Sequence, residues 1–101
     1  MSAITQSARD QECTLRIVGY CNHNPETTVY AHFPDGTGGS NKLGGDLANG
    51  CHACSTCHDI LDGRINHDVT KYDLERYMRI AQRSTLRRLR DMKIIIVKGE
   101  K

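Results

Sequence analysis

The stretch CHACSTCHDILDG, residues 51–63, decides the fold. Three cysteines at C-x2-C spacing run directly into His58 and then into residues suited to a short helix, Ser55 to Leu61, which Gly63 would stop. Paired thiols from one tight turn are half of a tetrahedral zinc site. The other half lies upstream in CTLRIVGYC, residues 13–21, where β-branched residues around Gly19 suggest a short hairpin with Cys13 and Cys21 at its ends. Downstream, either Cys51 with Cys54 or Cys54 with Cys57 could complete the four. Spacing alone does not choose, and we prefer Cys54 and Cys57 because that choice puts His58 immediately behind the knuckle. Cys51 then reads as a small semi-buried residue and His52 as a surface loop histidine.

Between the two cysteine groups, Asn22 to Glu26 is turn chemistry. Thr27 to Phe33 (TTVYAHF) alternates and is rich in β-formers, so a strand should end near His32, with Pro34 closing it. Residues 35–50 hold six of the nine glycines and read as a long loop. Beyond Gly63, Thr70 with Asp73 three residues on resembles a capping box and predicts a helix to about Met92. Leu74, Met78, Ala81, Leu89 and Met92 should face its core side, and Arg76, Arg79, Arg83, Arg87 and Arg90 another face. Residues 94–97 read as a terminal strand, and residues 1–12 as a frayed lead-in with at most one helical turn.

Size explains why a metal is wanted. A chain of 101 residues with no Trp and a single Phe has a thin core, and small domains of this kind rely on disulfides, metals or association. The first 12 residues carry no apolar run of a secretion signal and no stretch is long enough to span a bilayer, so we expect a cytoplasmic protein whose thiols stay reduced and bind zinc. Net charge is only +2, yet seven basic residues and one acid fall between Arg76 and Lys93. That local surface suits the phosphates of DNA, with RNA not excluded.

Taken together, an Ala-His at a strand end, a glycine-rich loop containing Asn, and C-x2-C-H opening a helix resemble the HNH (ββα-metal) nuclease pattern. Cys21 to Glu26, Ala31-His32 and Cys54 to Asp59 are similar, more narrowly, to the small prophage-encoded nuclease family typified by YbcO. The resemblance implies an α+β fold: a zinc-stapled treble-clef or ββα-metal core over residues 13–63, with an additional long helix over 70–92, in one domain. It implies a metal-dependent DNA endonuclease with His32 as general base, His58 as a ligand of a catalytic Mg²⁺ or Mn²⁺, and Asn49 orienting the base. Many HNH sites carry a metal-ligating Asp or His just before the base, where this chain has Ala31. Asp62, one turn after His58, could supply the second ligand, as could His67 or Asp35. A homodimer would let so small a unit cut both strands. Two rivals are a non-catalytic zinc-stapled DNA-binding protein and, from the string Cys54-Ser-Thr-Cys57-His58, a covalent haem carrier.

Overall fold

The computed structural model describes residues 3–33 and 50–95. Asn49, Asp35, Pro34, the glycine-rich stretch before Gly50 and the end of the expected terminal strand lie outside them. Chain order is α1 (Ala3–Gln6), a 3-10 turn (Pro25–Thr27), β1 (Val29–His32), β2 (Gly50–Ala53), α2 (Ser55–Leu61) and α3 (Lys71–Asp91). The fold is a small α+β unit, and among the described residues no helix is long and apolar enough to cross a membrane.

β1 and β2 form a two-stranded antiparallel sheet in which Val29 faces Ala53, Tyr30 faces His52, Ala31 faces Cys51 and His32 faces Gly50. Paired residues share a face and alternate along the strand, so Ala31, Cys51 and Ala53 point one way and Tyr30, His52 and His32 the other. Onto the first face α2 packs Cys57, Ile60 and Leu61, joined by Leu15, Ile17, Phe33 and Ala81 in the larger core cluster. The second face builds a smaller one from Tyr30, Ile4, Ala8 and Leu89.

Residues 3–12 are therefore not a frayed lead-in, because Ile4 and Ala8 are buried against Tyr30 and Leu89. β2 has a second edge, and it is covered. The backbone N–H and hydroxyl of Thr14 both donate to the His52 carbonyl at 2.7 Å, while the His52 N–H donates to Thr85 Oγ1 of α3 at 3.0 Å. The Thr14 hydroxyl proton is thereby used, so Thr85 donates across the 3.2 Å contact between the two hydroxyls. A four-residue strand is held on one side by its partner and on the other by two threonines.

The helix boundaries follow their capping residues. Thr70 Oγ1 accepts from the Asp73 N–H at 3.0 Å and opens α3, and Arg88 and Arg90 stand where the helix dipole favours cations. α2 ends in a Schellman motif, with Gly63 at φ +71°, its N–H on Ile60 and the Arg64 N–H on Asp59. The same closure ends α3, with Lys93 in the left-handed position and the Ile94 N–H on the Leu89 carbonyl. Ile94 and Ile95 accordingly fold back onto Leu89 instead of starting the expected strand. Along α3, Ala81 and Leu89 are buried and Leu74 and Met78 half-buried, but Met92, at the cap, is exposed. The buried position between Ala81 and Leu89 is polar: Thr85, engaged as above.

The expected hairpin from Cys13 to Cys21 is a pair of turns. The Ile17 carbonyl accepts from both Tyr20 and Cys21, and Gly19 at φ +86° makes the reversal that a side chain would resist.

Gly50 is required by contact, not conformation. A Cβ there would stand 2.5 Å from the Ala31 carbonyl oxygen and 2.8 Å from the Tyr30 ring. Gly50→Ala should destabilise the fold by about 1–3 kcal/mol, the usual cost of overpacking, read as a lower thermal midpoint.

Candidate functional site

The turns around Cys13 and Cys54 do the same local job. The Arg16 N–H donates to Cys13 Sγ and the Cys57 N–H to Cys54 Sγ, each at 3.4 Å, so each sulfur is held by the backbone amide three residues on. Cys21 arrives from the Gly19 turn, and Cys54 Sγ lies 3.9 Å from Cys21 Sγ. The ligand atoms of Cys13, Cys21, Cys54 and Cys57 all lie within 4.8 Å of one another. A tetrahedral ion with bonds of about 2.3 Å to sulfur needs sulfurs roughly 3.8 Å apart, so these four thiols could hold a metal ion such as zinc.

Their acidities follow from the crowding. A hydrogen bond from the Cys57 thiol, working against burial, brings Cys13 down to about 4. Cys57, which gives that bond and is itself buried, is pushed upward, and burial lifts Cys21 to about 11. Protons alone thus leave one thiolate stabilised by its neighbours, whereas a dication would favour four. Cys51 is fully buried on β2 outside this group, and burial raises its thiol as well. The pair Cys51 with Cys54 is not the one brought together.

His58 follows Cys57 on the flank of α2, with Nε2 3.2 Å from Asp62 Oδ2 and both side chains about three-quarters buried, at 27% and 25% exposure. The i, i+4 spacing expected to bring Asp62 to His58 does so. Arg64 reaches the same Asp62 oxygen at 3.3 Å and Asp59 at 3.6 Å. His67 is engaged elsewhere: its Nδ1 accepts from the Val69 N–H, and its ring stands edge-on to Tyr20. Among the described residues, no third His, Cys, Asp or Glu closes a metal-type group around His58 and Asp62.

His32 ends β1, half-buried, with its ring edge-on to Tyr30 at 5.2 Å between centroids. By strand alternation it shares the Tyr30 face, whereas α2, the helix that carries His58, packs Cys57, Ile60 and Leu61 on the Ala31 face. His32 thus stands on the face of the sheet away from the one that α2 covers.

Sequence reasoning placed His52 on a surface loop, and that expectation is overturned: His52 is fully buried on β2. Arg88 NH1 donates to its Nδ1 at 2.8 Å, which leaves the ring proton on Nε2, 2.9 Å from Ser7 Oγ. Ser7 passes its own hydrogen to the Ile4 carbonyl. Burial first, and the Arg88 charge second, lower the His52 pKa to about 4, so the ring works as a neutral linker between α1, β2 and α3. Its signal was the alternation of CHAC against VYAH, visible only once those two segments are paired. His52→Ala would take one hydrogen-bond partner from each of Arg88 and Ser7 and leave a cavity between them, and urea unfolding should show a loss of about 2–4 kcal/mol. Arg76, Arg79, Arg83, Arg87 and Arg90 are all exposed along α3, as the helical spacing requires.

Comparison with known proteins adds an independent line. A family model described as "Putative nuclease YbcO" matches residues 2–94. "Putative nuclease YbcO" of Escherichia coli (strain K12) and "Putative nuclease ybcO" of Enterobacteria phage 82 are each 45% identical to this chain over 65 residues, 63% of this chain and 67% of theirs. Among solved structures, a chain titled "Structure of a putative bacteriophage protein from Escherichia coli str. K-12 substr. MG1655" superposes with a TM-score of 0.72 at 31% identity, covering 88% of this chain and 98% of its own.

Proposed function

Because this chain belongs to the YbcO family, we propose that it is a metal-dependent endonuclease of the HNH type that hydrolyses DNA phosphodiester bonds. The observation that carries this reading is the run from a four-thiol cluster straight into a helix whose next turn presents the His58–Asp62 pair. Zinc on Cys13, Cys21, Cys54 and Cys57 would fix a treble-clef scaffold. His58 and Asp62 would hold a second divalent cation; two donors suit a Mg²⁺ or Mn²⁺ that keeps several waters and takes the rest of its shell from the substrate phosphate. When bound, that ion stabilises charge on the phosphoryl and leaving oxygens.

In this reading His32 accepts a proton from the attacking water, an oxygen–phosphorus bond forms, and the opposite ester oxygen leaves. An imidazole, with one ring nitrogen free to accept a proton, suits that task. Tyr30 fixes its ring by the edge-on contact. Asn49 would orient the base from the segment between the strands. The arginine face of α3 would bind the nucleic acid, and pairing of two copies would place one site on each strand. We expect the working compartment to be the cytoplasm, where the thiols stay available to zinc.

One observation favours a second reading. His32 stands on the sheet face away from α2, the helix that carries His58, which is what a non-catalytic zinc-stapled DNA-binding protein would tolerate and a nuclease must work around. Supercoiled plasmid separates the two. The nuclease nicks it with Mg²⁺ or Mn²⁺ and loses nicking in His32→Ala while zinc content and fold persist; the binding protein retards the plasmid uncut.

Under either reading, changing Arg79, Arg83 and Arg87 to Gln should weaken binding and flatten its salt dependence. Each lost phosphate contact lowers the slope of log K against log salt by roughly 0.7–0.9. An unchanged slope would show the stripe to be a solvated surface.

A further inference from the structure

On α3, Tyr72 is 71% exposed, the most exposed aromatic side chain among the described residues. With 3.6 residues per turn, Tyr72, Arg76, Arg79, Arg83, Arg87 and Arg90 fall within a sector of roughly 80° and form a straight row roughly 27 Å long, with neighbours about 5–6 Å apart. Tyr72 stands at the N-terminal end of that row, where it lines a hollow of about 270 Å³ with Glu75, Arg76 and Arg79. Arg90 contacts Asp91 at 3.5 Å; Arg76, Arg79, Arg83 and Arg87 pair with no acid among the described residues.

We propose that this row is a track for single-stranded nucleic acid, with Tyr72 as a platform on which an unpaired base stacks. The proposal rests on reading the arginine face as the nucleic-acid surface, and it names the form of the strand. Two arguments carry it. A duplex backbone winds about its own axis, so a straight rod meets its phosphates only where it crosses a strand, whereas an extended single strand can follow a straight row of guanidinium groups. Within a duplex, moreover, each base face is covered by its neighbour, so an exposed phenol ring finds a face to stack on only where bases are unpaired. A cationic track with an aromatic platform is the general design of sequence-tolerant single-strand binding.

The test uses the full zinc-loaded chain without added Mg²⁺ or Mn²⁺ and three fluorescein-labelled probes of about 16 nucleotides: oligothymidylate, oligouridylate and a DNA duplex of the same length. The expected result is single-strand binding at least about tenfold tighter than duplex binding. Tyr72→Ala should weaken it about tenfold with duplex binding unchanged, while Tyr72→Phe, which keeps the ring, retains it. Both single strands should bind within about threefold of one another, since phosphates and base faces are common to them; a strong ribose preference would point to 2′-hydroxyl recognition and contradict the stacking account. Because Tyr72 is exposed, the variants should melt as the parent does. If changing Arg79, Arg83 and Arg87 to Gln weakens binding but Tyr72→Ala does not, or if the duplex binds as tightly as the strand, the track proposal falls and the nucleic-acid surface stands. If the triple arginine change leaves all three probes unaffected, both fall.

Discussion

Cys57→Ala should leave a chain that neither retains zinc nor folds. The four sulfurs are where the turns of residues 13–21 meet the start of α2, and three of the four are buried in the larger core cluster. Structural zinc contributes about 10–16 kcal/mol in small domains near neutral pH, against a net stability of about 5–15 kcal/mol for a typical domain. Loss of one thiolate therefore exceeds what a thin core can absorb. Far-ultraviolet circular dichroism should show loss of the α3 signal, and metal analysis should fall from one zinc per chain to none. Strong chelation of the parent should reproduce both. Cys51→Ala is the informative control: it removes a buried sulfur outside the cluster, so zinc should stay and only about 1 kcal/mol of packing should go. A Cys57→Ala protein that melts cooperatively with its zinc in place would remove the metal from the account of stability.

His58→Ala should abolish plasmid nicking, by a factor on the order of 10²–10⁴, with fold, zinc content and DNA binding unchanged. His58 lies at the flank of α2, about a quarter exposed, with its ring on Asp62 and outside the buried residues of both core clusters. Asp62→Asn should be milder, because it removes one charged donor and leaves the imidazole, and it would also release Arg64. The comparison with His32→Ala bears on the sidedness of the sheet. Equal losses in the two variants would mean that the substrate reaches both side chains; loss in His58→Ala alone would mean that the base is some other residue. Undiminished cleavage in His58→Ala would remove this pair from the chemistry.

Legibility in the sequence tracked how local the determining interactions are. α3 is specified by Thr70, Asp73 and its arginine-rich last turn, and α2 by its knuckle and Gly63, so both are readable from a few neighbouring residues. β1 is readable from alternation. β2 is not, since Gly-Cys-His-Ala has no β-branched residue, and the strand owes its position to hydrogen bonds exchanged by His52 with Thr14 and Thr85, 38 and 33 residues away. For the same reason His52 passed for a loop residue, and nothing local in the sequence joined it to Arg88. In the opposite sense, the apolar run at 13–21 carried strand propensity that the fold overrides, because a thiol turn held by N–H to sulfur bonds serves the cluster better. The choice of Cys57 over Cys51 was open to spacing; both are buried, and it is Cys57 whose sulfur lies with those of Cys13, Cys21 and Cys54. The His58–Asp62 pair was legible because it is a helical neighbour relation; the side of the sheet occupied by His32 was not, because it depends on register.

The threonine grip on β2 has a consequence for how the molecule comes apart. A short strand clamped from both flanks by partners drawn from distant stretches gives no segment a private route to unzip: freeing the Thr14 turn exposes the His52 carbonyl, lifting α3 exposes its N–H, and either loosens the strand that carries the buried imidazole. Partial opening is then about as costly as full opening, and the protein should behave as a single cooperative unit in spite of its size.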